Sequence, residues 1–225
     1  MSRSNGLLGV KLMYTMPLDE LNVLREELVQ QYAIGKIPEK RKVISDVEDV
    51  LIEAYLMGMK EAAYILGEPE EVDEDRMLES VFARTGGQNP SPENPYRTRV
   101  NLTASIEGLE ENPYNVGGTG QPLNFAERLE EKDSVEEIMR VAETEAHRVF
   151  NDAEMDYAVT HGAKTKTWVT MGDDRVRSEH EYLDFVTVPI NEYFVTYDGA
   201  KAMRPGAFGI PELDINCRCQ LSFGR

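Results

Sequence analysis

The sequence predicts an α+β protein, with a helical N-terminal half built around a long helical hairpin and a small mixed α/β C-terminal domain. Two observations lead to this fold class. Apolar residues recur at three- and four-residue steps over residues 17–66 and again over 133–157, as along one side of an amphipathic helix. After Gly162 the period shortens to two, and turn-forming glycines and prolines separate short β-rich runs.

Composition and charge divide the chain into three parts. Residues 1–84 are an acidic helical region, residues 85–124 are a linker or extended loop rich in Gly, Pro and Asn, and residues 125–225 form the C-terminal domain. The first 161 residues contain 16 Lys and Arg against 32 Asp and Glu, so they carry nearly all of the net charge of −17. An acidic surface repels phosphate backbones, so we do not expect the N-terminal half to bind DNA directly. We expect it to bind protein partners with basic faces instead.

Apolar residues at helical spacing predict where the helices lie. They are predicted at Pro17–Tyr32, at about Glu39–Leu66, through Leu78 and Phe82, and at Asp133–Tyr157. The first two would pack as an antiparallel hairpin. Asp133 and Glu136 have the spacing of a capping box at the start of the last helix.

The helix that begins at Asp133 also has a polar face. Glu145, Arg148 and Asn151 fall together opposite the apolar stripe, where side chains are usually solvated. Glu145 and Arg148 are spaced for an ion pair between residues i and i+3, which stabilises an exposed helix by only about 0.2–0.5 kcal/mol.

The β-rich runs follow. Strands are predicted at Arg97–Ile106 in the linker and at Thr165–Thr170, Phe185–Ile190, Tyr193–Tyr197 and Asn216–Phe223 in the C-terminal domain. A short helix, capped by Asp173 or Asp174, is predicted from about Arg175 to Leu183. No run approaches about 18 consecutive apolar residues and no signal peptide is recognisable, so we expect no membrane span and synthesis in a cytoplasm.

The chemically distinctive residues follow one another in a specific order. They are Glu145, Arg148, Asn151, Trp168, Asp174, Arg175, Arg177, His180, Asn216, Cys217 and Cys219. In this order and spacing they resemble the signature of the phage Mu F-like minor head protein family, the head-morphogenesis proteins of tailed bacteriophages. The family usually has Gly after a Leu-Asp pair, whereas Phe185 follows Asp184 here.

The resemblance implies a minor capsid or head protein of a tailed bacteriophage or prophage. Such proteins associate with the portal or the capsid interior and assist head assembly, DNA packaging or ejection. The expected partners are therefore portal, major capsid or scaffold proteins. The expected locations are the virion head and, during assembly, the cytoplasm of the host bacterium. The family name implies no enzymatic activity.

The alternative is an effector that is delivered with phage DNA, with an activity like that of ADP-ribosyltransferases. Glu179-x-Glu181 has the form of their ExE motif, and Arg175 or Arg177 could bind nucleotide phosphates. Two carboxylates two residues apart on a helix lie on different faces, which argues against this interpretation.

His180, Cys217 and Cys219 allow two interpretations. Imidazole and thiolates suit zinc, and residues 217 and 219 of a strand would direct both sulfurs to one face, with His161 or an acidic residue as fourth ligand. In the other interpretation the cysteines are buried, and a hydrogen-bonded Asp/Arg/His network attaches the short helix to the final strand. The sequence favours the second interpretation, in which no cofactor is bound.

Overall fold

A computed structural model describes residues 18–68, 129–130 and 132–225. Long helices form the N-terminal half and a small antiparallel sheet with short helices forms the C-terminal part, which confirms the α+β prediction. The predicted short helix through Leu78 and Phe82, the linker 85–124 and its strand Arg97–Ile106 lie outside the described residues.

Three long helices were predicted within a few residues of their ends. They are α1 (Leu18–Ala33), α2 (Lys40–Ile65) and α3 (Val135–Thr160). Lys42 near the start of α2 pairs with Glu27 in the second half of α1 at 3.6 Å, so α1 and α2 run antiparallel, as the predicted hairpin requires.

The main partner of α2 is α3, which is distant in sequence. Lys40 contacts Asp133 at their starts, and Glu68 accepts a hydrogen bond from Tyr157 near their ends at 3.2 Å, so α2 and α3 run parallel. At Gly58 the two backbones nearly touch, because a Cβ there would lie 2.2 Å from the carbonyl oxygen of Phe150. The helical core therefore depends on a contact that local sequence pattern could not predict.

The N-cap of α3 is Ser134 rather than the predicted Asp133. Its Oγ accepts a hydrogen bond from the backbone N–H of Glu137 at 3.3 Å and donates to the Glu137 carboxylate at 2.9 Å. Asp133 instead extends into solvent and pairs with Lys40 at 3.1 Å. The prediction of a capping box at Asp133 and Glu136 was therefore one residue too early. Ser134 and Glu137 have the same three-residue spacing, so the sequence pattern fits either pair.

Residues 162–225, called the C-terminal module below, follow α3. Their strands are β1 (Thr165–Val169), β2 (Thr187–Pro189), β3 (Phe194–Val195), β4 (Lys201–Ala202) and β5 (Gln220–Gly224). They form an antiparallel sheet of order β2-β1-β5 and a separate β3-β4 pair. Two short helices, α4 (Ser178–Leu183) and α5 (Pro211–Asp214), complete the module.

Several predicted bounds in this module were wrong for a common reason: turns occupy the ends of the predicted runs. The final strand begins at Gln220 instead of Asn216, because Asn216 has a φ of 58° and reverses the chain. β2 is shorter than Phe185–Ile190, since Phe185 also has a φ of 58°. α4 starts after the predicted Arg175, because Val176 N–H closes a turn onto the carbonyl of Asp173. β3 is confined to Phe194–Val195.

In the described part of the chain, no helix has both the length and the apolar character needed to cross a membrane.

Candidate functional site

The structure brings together His180 on α4 and two cysteines from the segment between α5 and β5. His180 Nδ1 lies 3.7 Å from the sulfur of Cys217 and 3.4 Å from the sulfur of Cys219. The three side chains are buried, and their possible ligand atoms all lie within 4.8 Å of one another. Among the described residues this is the group that could hold a metal ion.

Turns, rather than the predicted strand, direct both sulfurs to His180. Cys217 and Cys219 precede β5, and the left-handed conformation of Asn216 turns the chain back just before them. The Cys217 N–H donates to the carbonyl of Asp214 at 3.2 Å. Arg177, the N-cap residue of α4, donates to the carbonyl of Ile215. The latter bond joins α4 to the cysteine segment, as the network interpretation expected of an arginine in this group.

Aromatic rings enclose the cluster. Trp168, fully buried on β1, meets the His180 ring edge-on with centroids 5.4 Å apart, and Phe208 stacks on His180 at 5.5 Å. Phe194 meets Trp168 edge-on, with ring centroids 5.2 Å apart. These rings keep bulk water away, so polar interactions within the cluster are stronger than they would be in solution.

The two thiols differ in acidity. Hydrogen bonding from Cys217, together with His180 and Trp168, lowers the pKa of Cys219 below the ordinary cysteine value. Burial and the neighbouring Cys219 raise the pKa of Cys217. Of the two thiols, Cys219 is therefore the more acidic. A thiolate is the form that binds metals.

The predicted solvation of the polar face of α3 was wrong. Glu145, Arg148 and Asn151 are buried, because the C-terminal module packs over them. Arg148 bonds Glu145 at 3.0 Å and approaches Asp152 at 3.7 Å, and Asp152 also pairs with Arg204 of the module. The Glu145–Arg148 pair thus forms at the predicted spacing, but inside the protein, where loss of one partner leaves an uncompensated buried charge.

His147 connects this helix face to the cluster, and sequence reasoning missed it. Its Nε2 lies 2.8 Å from the carbonyl oxygen of Cys219, and Asn151 donates to the carbonyl of His147 at 2.9 Å. Burial lowers the pKa of His147 to about 4, so its ring is neutral and donates to Cys219. Its position between two signature residues, Glu145 and Arg148, was the signal that could have identified it.

Other predicted residues lie around the cluster rather than in it. Asp174, Arg175 and Asn216 are exposed. His161 caps α3 and stacks on Tyr157 with centroids 3.8 Å apart, so the structure places this proposed fourth ligand outside the cluster.

An ion pair that the sequence did not suggest borders the cluster: Arg218 binds Asp173 through two bonds of 2.7 and 2.8 Å. A cavity of about 10 Å³ borders Arg218 and two members of the cluster. Its lining includes His180 and Cys219 together with Arg175 and Arg177.

The two glutamates of the ExE-like sequence have different environments. Glu179 accepts a hydrogen bond from the hydroxyl of Tyr197 at 3.0 Å, and Glu181 is exposed. Hydrogen bonds from the backbone N–H of Glu179 itself and from Tyr197 lower the pKa of Glu179, which keeps its carboxylate ionised.

Comparison with known proteins finds a similarity over the C-terminal part of the chain. Residues 117–222 match the family model described as Phage Mu protein F like protein. A similar curated protein, the NAD(+)--arginine ADP-ribosyltransferase EFV of Enterococcus faecalis, is 34% identical over 94 residues, or 40% of this chain. The matched part is 19% of that protein's length.

No solved structure matches the chain. The family match contains the signature residues from Glu145 to Cys219 and most of the C-terminal module. Residues 117–222, just under half of the chain, are therefore similar to the phage Mu protein F-like family, which suggests a bacteriophage head protein that takes part in head morphogenesis.

Proposed function

We propose that the chain is a minor head protein of a tailed bacteriophage or prophage, which sits on the portal or the capsid interior and assists head assembly, DNA packaging or ejection. The observation that carries this proposal is the family match over residues 117–222. In this account the C-terminal module is a folded scaffold, and the acidic helices provide contact surfaces for portal, major capsid or scaffold proteins.

An acidic groove between α1 and α2 supports this division of roles. Its volume is about 390 Å³, and its lining combines six carboxylates with three apolar side chains. The lining residues are Asp19, Glu20, Val23, Leu24, Glu27, Asp46, Asp49, Val50 and Glu53. Such a surface suits a segment of a head protein that presents basic and apolar side chains together, because complementary charge steers association.

Analysis of purified particles tests the proposal. Mass spectrometry of virions, made by the phage or induced prophage that carries the gene, should detect the chain in substoichiometric amount relative to the major capsid protein. Absence of the chain from particles would contradict the proposal.

Charge reversal tests the groove separately. Glu20→Lys combined with Asp49→Lys should reduce incorporation into particles, since the groove would then repel a basic partner segment. The matched control is Glu192→Lys combined with Glu212→Lys, which reverses two exposed carboxylates of the C-terminal module. Equal incorporation of the two double variants would exclude the groove as the contact surface while leaving the head location intact.

The second candidate is an effector with ADP-ribosyltransferase activity, which the similarity to the Enterococcus faecalis enzyme favours. Glu179 accepts a hydrogen bond from Tyr197 and does not line the cavity of about 10 Å³ beside α4, where Arg175 and Arg177 lie, so the structure does not bring the arginines and the glutamates of this interpretation into one pocket. We therefore expect the purified chain to transfer no ADP-ribose from NAD to agmatine, a soluble arginine analogue. Transfer that Glu179→Gln abolishes would favour the effector over the head protein.

A further inference from the structure

We propose that Nδ1 of His180 and the sulfurs of Cys217 and Cys219 bind one zinc ion. The proposal goes beyond the role in the phage head and is independent of it. It reverses the preference drawn from sequence, because the sequence pattern contained no information on whether the three side chains converge.

The distances within the cluster match a tetrahedral zinc site. With Zn–S bonds of about 2.3 Å and Zn–N bonds of about 2.0–2.1 Å, tetrahedral angles separate sulfur from nitrogen by about 3.5–3.6 Å. The two observed separations, 3.7 Å to Cys217 and 3.4 Å to Cys219, lie on either side of that value. A cation at the centre of this triangle would therefore need little rearrangement of the three side chains.

Hydrogen bonding alone accounts poorly for the same arrangement. Nδ1 of His180 either donates once or accepts once, yet it lies near two sulfurs that also interact with each other. The buried indole N–H of Trp168 has no hydrogen-bond partner among the described residues, although it is near enough to the Cys219 sulfur to help lower the pKa of that thiol. A metal-bound thiolate is a good acceptor for such a donor, which makes Trp168 an outer partner that orients the ligand.

The fourth coordination position has a place in the structure. The cavity of about 10 Å³ borders His180 and Cys219, and its volume is roughly that of one water molecule. The two acidic residues near the cluster already have partners. Asp173 is bound to Arg218 by two hydrogen bonds, and the carboxylate of Asp214 accepts hydrogen bonds from the backbone N–H groups of Phe208 and Ile210. We therefore assign the fourth position to water.

The architecture of the C-terminal module explains why an ion is useful there. Its strands contain two to five residues, so backbone pairing and core burial are limited. Zinc would join α4 to the segment that precedes β5, and small modules commonly depend on such metal ligation. Zinc binds cysteine as the thiolate, so metal binding would release to solvent any proton that the two sulfurs still hold.

The test begins with the full-length chain, purified without chelator and analysed by elemental mass spectrometry. We expect about one zinc per folded chain. X-ray absorption at the zinc edge should then show two sulfur ligands at about 2.3 Å and two nitrogen or oxygen ligands at about 2.0–2.1 Å. This measurement uses the unaltered protein, so it does not depend on whether variants fold.

Variants assign the ligands. Cys217→Ser, Cys219→Ser and His180→Asn should each lose most of the zinc, whereas the matched control His161→Asn should retain it. Less than about a tenth of a zinc per chain, in folded protein refolded with excess zinc, would overturn the proposal. So would full zinc content in a folded Cys217→Ser or Cys219→Ser variant, or an absorption spectrum without sulfur ligands.

Discussion

Substitution of Gly58 by alanine tests the contact that joins α2 to α3. Helix propensity alone predicts that Gly58→Ala stabilises the protein by about 0.8–1.0 kcal/mol. The structure predicts the opposite sign. The new Cβ would lie 2.2 Å from the carbonyl oxygen of Phe150 and 3.0 Å from the Cβ of Ala153. A backbone oxygen in the middle of a helix cannot move aside, so the helices must separate by about 1 Å at their closest point.

Overpacking of a core typically costs about 1–3 kcal/mol, and a backbone clash belongs at the upper end of that range. After subtraction of the propensity gain, we expect Gly58→Ala to lower the free energy of unfolding by about 2 kcal/mol. For a chain of this size that corresponds to a fall in Tm of roughly 4–8 °C.

Thermal and urea denaturation, followed by far-ultraviolet circular dichroism, measure this change. The matched control is Gly67→Ala, where φ is 70° and no atom lies within 4 Å of the added carbon. Its expected loss is about 1 kcal/mol, from backbone strain alone. An unchanged or raised Tm for Gly58→Ala would refute the close approach of the two helices.

Three further changes probe other features by urea denaturation. Ser134→Ala should lower the free energy of unfolding by about 0.5–2 kcal/mol, because it removes the N-cap of α3, whereas Asp133→Ala should lower it much less. A larger loss for Asp133→Ala would mean that Asp133 is the N-cap, as the sequence predicted. Phe185→Gly should be more stable than Phe185→Ala by about 0.5–1 kcal/mol, since φ is 58° there; equal stabilities would argue against the left-handed turn. Burial and the charge of Glu61 raise the pKa of Glu154 well above 4.5, so the folded chain keeps a proton that the unfolded chain releases. The free energy of unfolding should therefore fall as pH rises above about 4.5, by at most about 1.4 kcal/mol per pH unit. Glu154→Gln should make this dependence on pH weaker. An unaltered dependence in the variant would mean that Glu154 does not cause it.

The long helices could be predicted because their apolar stripes repeat over many turns. Val47, Leu51 and Ala54 illustrate the stripe of α2, and all three are fully buried. The pattern did not reveal which helix covers which stripe. The parallel contact of α2 with α3 depends on residues about 90 positions apart, such as Gly58 and Phe150.

The polar face of α3 shows where pattern reasoning fails. A helical wheel places Glu145 and Arg148 opposite the apolar stripe, but it cannot reveal that Arg204 and the cysteine segment pack there. Charged side chains in a low-dielectric interior need partners. Here Glu145 and Asp152 pair with Arg148 on α3 itself, and Arg204 of the C-terminal module pairs with Asp152.

For the cluster of His180, Cys217 and Cys219, the sequence predicted which residues could bind a metal but not how the chain brings them together. His180, Cys217 and Cys219 were identified from their chemistry, but the reason for their convergence was wrong. Left-handed Asn216 and the turn onto Asp214 direct the sulfurs, not strand alternation. Phe185 shows the same effect, because its φ of 58° ends the predicted strand in a way that its residue type does not indicate.

Cross-linking of purified particles with a lysine-reactive reagent, read by mass spectrometry, tests whether the chain lies in the phage head against other head proteins. We expect cross-links from lysines near the α1–α2 turn, such as Lys36 and Lys42, to portal, capsid or scaffold subunits. As a control, particles are disrupted and their separated proteins are mixed with the reagent. In that mixture Lys36 and Lys42 should form no cross-links to portal, capsid or scaffold subunits. Particles that contain the portal and capsid proteins but neither the chain nor any cross-link to it would contradict the assignment to the phage head.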